Sequence, residues 1–451
     1  LHFLIYKYTL YLKIMKKKIT LYSLLIISVL LVLVLNITQL KGIAKNLIKP
    51  ELRDAINKKI LGKKTIDYYN GLKIKASINY NQKLLPMSEF IELSLKDISL
   101  DELINNDENS IQRKFYVEEF NDDLIIIDKG GNIFFINKNV INDVTKFKSV
   151  NVKSNLNFDG KEVKDILVIN NDIYLSYSEI ISSECQNIGI VKAEISKKII
   201  NFTNFFKSEE CALYFNAGRM EMYLHNNEKG LLYTTDALTV DSPKAQNDNS
   251  LYGKILFIDF KNKIPIIFSK GHRVPQGLLV DNNRIISTEH GPRGGDEINF
   301  VEFGNNYGWP LASYGEPMKW EKKNDSKIVH YLKNHDENGF IEPIFSFTPS
   351  IGIGQIIKVP DKFSEHWKNS YLVASLAGKV IYRVSLDKNL TKINYYEKIF
   401  IGKRVRDMRY IEEYDVFVLA LSGSRDVGFK DTLQLANPSI GILRFKDFLY
   451  N

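Results

Sequence analysis

From about residue 112 onward the chain is a succession of short β-prone runs, each closed by Gly, Asn or Asp, and this rhythm restricts what it can fold into. Residues 124–128 and 132–136 flank Gly130-Gly131. Residues 166–169 and 173–177 flank Asn170-Asn171-Asp172, and residues 278–280 and 284–287 flank Asp281-Asn282-Asn283. Turns of two or three residues between β-branched and aromatic runs are hairpin signals. Further strand-like runs follow at 254–260, 371–374, 380–386, 416–419 and 440–445. No apolar stripe of helical period crosses this region, which argues against a parallel sheet with crossover helices. The bare pattern fits a propeller or a large β-sandwich. Its 24 Tyr and 26 Phe suit pleated, half-buried surfaces, and at 451 residues such a β fold can still form one unit.

The net charge of +8 resembles a nucleic-acid signal until it is mapped along the chain. Eleven of the 61 basic residues but only two of the 53 acidic ones lie in the first sixty positions, so the remainder carries 50 against 51. A near-neutral body removes the main support for binding DNA or RNA. The basic excess goes instead with an apolar run at 21–35 that follows Lys16-Lys17-Lys18, with Met15 a candidate start. Counted over 19–37, the run approaches the roughly 20 residues that cross a bilayer. Asn36-Ile37-Thr38-Gln39-Leu40 offers no small-residue cleavage site. The expectation is an uncleaved signal-anchor helix within 1–40, lysines inside, with the body exported to the periplasmic or extracellular face of the cytoplasmic membrane. Residues 41–111 read as a juxtamembrane spacer and 112–451 as the β domain. An exported chain permits a disulfide between Cys185 and Cys211, although two buried thiols fit equally.

One stretch has the composition of a site. Gly271-His272-Arg273-Val274-Pro275-Gln276-Gly277-Leu278 precedes Thr288-Glu289-His290-Gly291-Pro292-Arg293-Gly294-Gly295-Asp296-Glu297-Ile298-Asn299 and Asn306-Tyr307-Gly308-Trp309-Pro310. A strand here enters a long, charged, glycine-rich loop, where backbone atoms can approach a ligand. In order and spacing the three blocks resemble the soluble quinoprotein glucose and aldose sugar dehydrogenases, six-bladed β-propellers that use pyrroloquinoline quinone (PQQ) and calcium. Residues 122–135, 173–177 and 373–378, Thr348-Pro349-Ser350 and Arg404-Val405-Arg406-Asp407 extend the resemblance over most of 112–450. The expected fold is therefore all-β, a six-bladed propeller over 112–451 with blades of about 55 residues, against a usual repeat of about 40 to 50.

The resemblance also implies a site. Main-chain carbonyls of Gly291 and Pro292 would hold calcium, a cation served by hard oxygen ligands. Arg273, Arg404 and Arg406 would meet the three carboxylates of PQQ, which planar guanidinium forks match well. Asp296, Glu297, Asn299, Asn306 and Trp309 are expected to hold the loop against the propeller, and His225 to be solvated in a turn. Sugar oxidation needs a base for the hydroxyl proton, which the family supplies as the His of Asp-His-x-x-Gly-Arg. The aligned residues here are Tyr214-Phe215-Asn216-Ala217-Gly218-Arg219, and Phe215 cannot accept a proton. Val274 replaces an Asn of the first block, and Ala377 a cofactor-binding Lys of some members. Two functions follow. One is a PQQ-dependent aldose sugar dehydrogenase, oxidising sugars at the anomeric carbon with Asp236, His290 or Asp407 as substitute base. The other is a non-catalytic propeller that binds a quinone, sugar, glycan or protein ligand.

Overall fold

The structure, a computed structural model, describes residues 91, 93–100, 103, 114–318, 330–422 and 438–445. The expected anchor at 1–40 and most of the expected spacer lie outside the described residues. Among those described, no helix is long and apolar enough to cross a membrane.

Six antiparallel sheets of four main strands follow one another along the chain. Their innermost strands are Phe115–Phe120 (blade 1), Lys161–Ile169 (blade 2), Met220–His225 (blade 3), Pro275–Asp281 (blade 4), Ile353–Lys358 (blade 5) and Arg404–Ile411 (blade 6). These strands neighbour one another in a ring, the last against the first. Each opens its blade, so their N-terminal ends share one face of the ring. Blade 6 is completed by Leu93–Ser99, which pairs antiparallel with Ser439–Phe445. The propeller is thus closed by a strand from within the stretch read as a spacer, before residue 112.

The apolar runs have a simple origin. Successive side chains of a strand point to opposite faces, and in a radial array both faces are covered by a neighbouring blade. Leu124 and Ile126 pack toward blade 6, while Ile125 and Ile127 pack toward blade 2. In blade 6, Phe417 and Leu419 face blade 5, whereas Val416 and Val418 face blade 1. The expected hairpins are present at all three positions. At Asn282 and Asn283 both central residues have positive φ, 50° and 65°, the geometry that two-residue hairpin turns need and Asn tolerates. Cys185 and Cys211 are disulfide-bonded. The bridge ties the end of a blade 2 strand to the segment leading into Phe215.

Candidate active site at the channel mouth

Four of the six innermost strands lose register close to their N-terminal ends. In blade 2 the pairing passes from Val163 with Tyr177 to Asp165 with Ser176, leaving Lys164 as the extra residue. Blade 4 leaves Gln276 between Pro275 and Gly277, blade 6 leaves Arg406 between Val405 and Asp407, and blade 5 slips between Ile353 and Ile356. A β-bulge re-aims side chains, and bulges collect at rims and beside sites. Here they present Lys164, Gln276 and Arg406 on the face where the six strands begin.

Arg219 joins these strands. Its Nη1 donates to Asp165 Oδ1 at 2.8 Å and to Asp407 Oδ1 at 3.0 Å. Nε donates to the Gln276 carbonyl and Nη2 to that of Arg406, both at 2.9 Å. The guanidinium also lies over the Tyr116 ring, 5.2 Å from its centroid. One side chain from blade 3 therefore reaches blades 1, 2, 4 and 6. The second oxygens of the two carboxylates accept Met220 N (2.9 Å) and Val117 N (3.1 Å).

Around this hub positive charge is in excess. Glu162 Oε1 lies 2.9 Å from Lys114 Nζ and 3.4 Å from Lys164 Nζ, so one carboxylate serves two lysines. Burial, reinforced by the charge of Arg406, pushes Lys114 down to about 8. Burial and then Lys114 do the same to Lys164, also to about 8. Arg406 falls to about 10, through burial and then the charges of Arg404 and Arg219. Glu162 moves to about 2, because Lys114 and Lys164 outweigh its burial. The buried Nε of Arg406 has no hydrogen-bond partner.

Arg273 is held from behind. Its N–H donates to Glu289 Oε1, and Glu289 Oε2 is 3.0 Å from His272 Nδ1, whose Nε2 is 2.8 Å from Ser269 Oγ. Its guanidinium lies over Trp309, 5.1 Å from the ring centroid, and Nη1 donates to the carbonyls of His290 (3.1 Å) and Gly291 (2.7 Å). Gly291 has no room for a side chain, since a Cβ would come 2.1 Å from the Gly295 carbonyl oxygen. Asp296 clamps the loop by accepting from Gly291 N (3.1 Å), Ile351 N (2.9 Å), Ile353 N (3.1 Å) and the Ser350 hydroxyl. Asn306 pairs with Gln246 and accepts Gly308 N, and Trp309 Nε1 donates to the Ala237 carbonyl. These residues hold the loop, as expected. Glu297, opposite Glu289 in the sheet, is buried and accepts a long hydrogen bond from Asn299.

Calcium fits this arrangement poorly. An ion on the Gly291 and Pro292 carbonyls would share the Gly291 oxygen with the Arg273 guanidinium, and two neighbouring cations with little water between them repel strongly. Among the described residues, no group of three or more His, Cys, Asp or Glu side chains is placed to hold a metal.

Phe215 is 2% exposed and packs edge-on against Tyr252, with ring centroids 6.3 Å apart, in the core between blades 2 and 3. It also forms part of the wall of a cleft of about 420 Å³ lined by Lys129, Glu162, Lys164, Tyr214 and Asn216 among others. Lys164 Nζ sits 5.9 Å from the Phe215 ring centroid. The substitute bases named from the sequence fare differently. Asp407 is fully buried, with both oxygens engaged as described. Asp236 is fully buried beneath the Phe215 turn, where it accepts Asn216 N at 3.0 Å, and burial pushes its carboxyl up to about 7. The His290 side chain is 24% exposed, with Nδ1 3.8 Å from Asp296 Oδ1. His225 is not simply solvated: its ring stands 4.8 Å from Phe303 and 5.4 Å from Phe268.

Sequence reasoning did not single out Lys114, Glu162 or Lys164, and it used Arg219 only to fix alignment. The available signal was two lysines and two carboxylates within the blade 2 strand, whose later residues are apolar.

Residues 114–426 match the glucose/sorbosone dehydrogenase family. An uncharacterised protein of Synechocystis sp. is 34% identical over 192 residues, 39% of this chain and 44% of that protein. The aldose sugar dehydrogenase of Escherichia coli is 28% identical over 278 residues, 56% of this chain and 71% of that one. The chain thus spans less than half of the first relative and over two thirds of the second. The PQQ-bound form of an aldose sugar dehydrogenase from Streptomyces coelicolor shares the fold with a TM-score of 0.54 at 19% identity, covering 80% of this chain and 100% of that one. A match over most of the chain, laid on six blades around a ring, establishes that this protein belongs to the glucose/sorbosone dehydrogenase family.

Proposed function

We propose that this chain is a quinoprotein of the aldose sugar dehydrogenase type, seating PQQ over the channel mouth with its carboxylates toward Arg273, Arg404 and Arg406. The observation that carries the reading is the charge imbalance: Lys114, Lys164 and Arg406 gather at one end of the ring with Glu162 among them. Like charges crowded together where they are wholly or partly buried are costly unless an anion joins them, and a tricarboxylate is such an anion. When bound, PQQ supplies a two-electron acceptor for a sugar C–H bond. The chain's part is to orient cofactor and sugar and to exclude water. In this reading Arg273 would hold a cofactor carboxylate, and the Gly291 carbonyl would be available to calcium only if that guanidinium no longer donated to it. Export and anchoring through residues 1–40, with no nucleic-acid partner, belong to the same proposal and are supported by the charge pattern and the apolar run at 19–37.

The second reading is a propeller that keeps the ligand and has lost the chemistry, its partner a small molecule, glycan or protein. It is supported by Phe215 at the histidine position and by the engaged, buried oxygens of Asp407. The two are separated by titrating the purified chain with PQQ, following its absorbance after dialysis, and then measuring dye reduction with a panel of aldoses. Uptake with turnover supports the dehydrogenase, and uptake without turnover at any pH supports the binder. A chain that retains no PQQ would sink the quinoprotein reading.

A further inference from the structure

We propose that the ε-amino group of Lys164 is the general base of sugar oxidation in this chain, standing in for the histidine missing at position 215. The proposal rests on the reading that a quinone-dependent sugar oxidation occurs at this site. Lys164 is the bulge residue of the blade 2 innermost strand, and its side chain lies on the same side as that of Glu162, with Nζ 3.4 Å from Oε1. Its stem is pinned against Gly218, where a Cβ would come 2.5 Å from Lys164 Cβ, and Gly218 is fixed in turn by its carbonyl accepting Ser176 Oγ at 2.6 Å. The amine ends over the Phe215 ring, on the wall of the same cleft. It thus reaches the neighbourhood of residue 215 from the opposite strand.

The groups facing it are Glu162 on its own strand, Lys114 from blade 1, Asp236 from beneath the Phe215 turn, and Asp159, Lys161 and Lys129 around the cleft. Burial and Lys114 favour the uncharged amine, while Glu162 and Asp236 favour the ammonium, and the balance lies at about 8. A lysine lowered into this range serves as a general base. The proton of the C1 hydroxyl passes to the uncharged Nζ, giving the ammonium. The C1 hydrogen leaves with its electron pair as hydride to the bound quinone, which is the oxidant, and C1 ends as a carbonyl.

The first test needs no activity. Reductive ¹³C-methylation of the full chain, read by NMR against pH, should show a small set of amines titrating near 8, Lys114 and Lys254 among them, apart from the bulk lysines near 10.4, and one member of that set should be absent from Lys164→Met. In the PQQ-loaded protein kcat should rise with pH through about 8. Lys164→Met should lower kcat by about 100-fold or more with little change in KM. Lys164→Arg, which keeps the charge and cannot give up its proton, should be as inactive. A Lys164 amine titrating with the bulk, or turnover that survives either substitution, would overturn the assignment, as would PQQ-loaded wild type inert at every pH. Failure to take up PQQ is seen separately in the absorbance titration and refutes the underlying reading instead.

Discussion

Replacing Arg219 by Met tests whether the hub holds the blades together. The apolar stem is largely kept, while the guanidinium, with its place over the Tyr116 ring, is removed from a site where Arg219, Asp165 and Asp407 are 3%, 1% and 0% exposed. Deleting one partner of a buried ion pair costs about 3–5 kcal/mol, because the remaining charge is stranded. Two carbonyls, of Gln276 and Arg406, also lose their donor, at about 1 kcal/mol each. The expected loss is about 5 kcal/mol, a large part of the roughly 5–15 kcal/mol that holds a typical protein folded. Equilibrium urea unfolding would show it as a lower midpoint at unchanged slope. The loss should also depend on pH. Burial already lifts Asp165 to about 6 with Arg219 in place, and without the guanidinium it must rise further. The folded variant then binds protons that the unfolded chain, with carboxyls near 3.9, does not, so its deficit should shrink as pH falls from 7 to 5. A deficit below about 1 kcal/mol, or one indifferent to acid, would refute the view that this arginine pins the ring.

Lys164→Met should raise stability by about 3 kcal/mol at pH 7, the cost of burying an ammonium whose pKa lies near 8 in the fold and 10.5 outside it. Between those values the unfolded chain holds a proton that the folded one has released, so higher pH favours wild-type folding and the variant's gain should fade from about 8 to 10.5; a constant gain in urea midpoints would contradict this. Reducing the Cys185–Cys211 bridge, 26 residues apart in sequence, should cost about 3 kcal/mol and weaken sugar binding by freeing the segment that carries Tyr214 and Phe215. A lower melting temperature with unchanged sugar affinity would separate the bridge from the site. Calcium alone should produce no heat in a calorimetric titration, because Arg273 covers the Gly291 carbonyl. The same titration after PQQ loading should produce heat, and strong calcium binding without PQQ would show that Arg273 does not guard that oxygen.

Much of the fold was legible because radial packing buries both faces of the inner strands, writing unbroken runs such as Leu124-Ile125-Ile126-Ile127 with Gly or Asn turns between them. The closing strand Leu93–Ser99 was not, because an edge strand with exposed Asp97 and half-exposed Lys96 gives little pattern. The loop after blade 4's second strand was legible for a chemical reason. Its work is done by main-chain atoms, and Gly291 leaves no room for a side chain. His225 was misread because its contact Phe303 arrives from a loop 78 positions later, which no local turn signal reports.

The bulges explain why the remaining parts of the site were hidden. Glu162-Val163-Lys164-Asp165 reads as a strand alternating polar and apolar, which would send Lys164 and Glu162 to one face. That much is kept, with Lys164 beside Glu162 at the cleft and Asp165 turned to Arg219 in the hub; what the extra residue shifts is the pairing, which passes from Val163 opposite Tyr177 to Asp165 opposite Ser176. Such a shift depends on which residue of the partner strand is opposite, so it cannot be read along a single strand. A like slip lies between Val405 and Asp407, where Arg406 is left beside other cations and Asp407 pairs with Arg219. At both positions a bulge sorts adjacent charged residues into one that secures the ring and one that remains undercompensated. The body of the chain can therefore be near neutral in sum and still concentrate positive charge at its channel mouth, where an anionic cofactor would lower the cost.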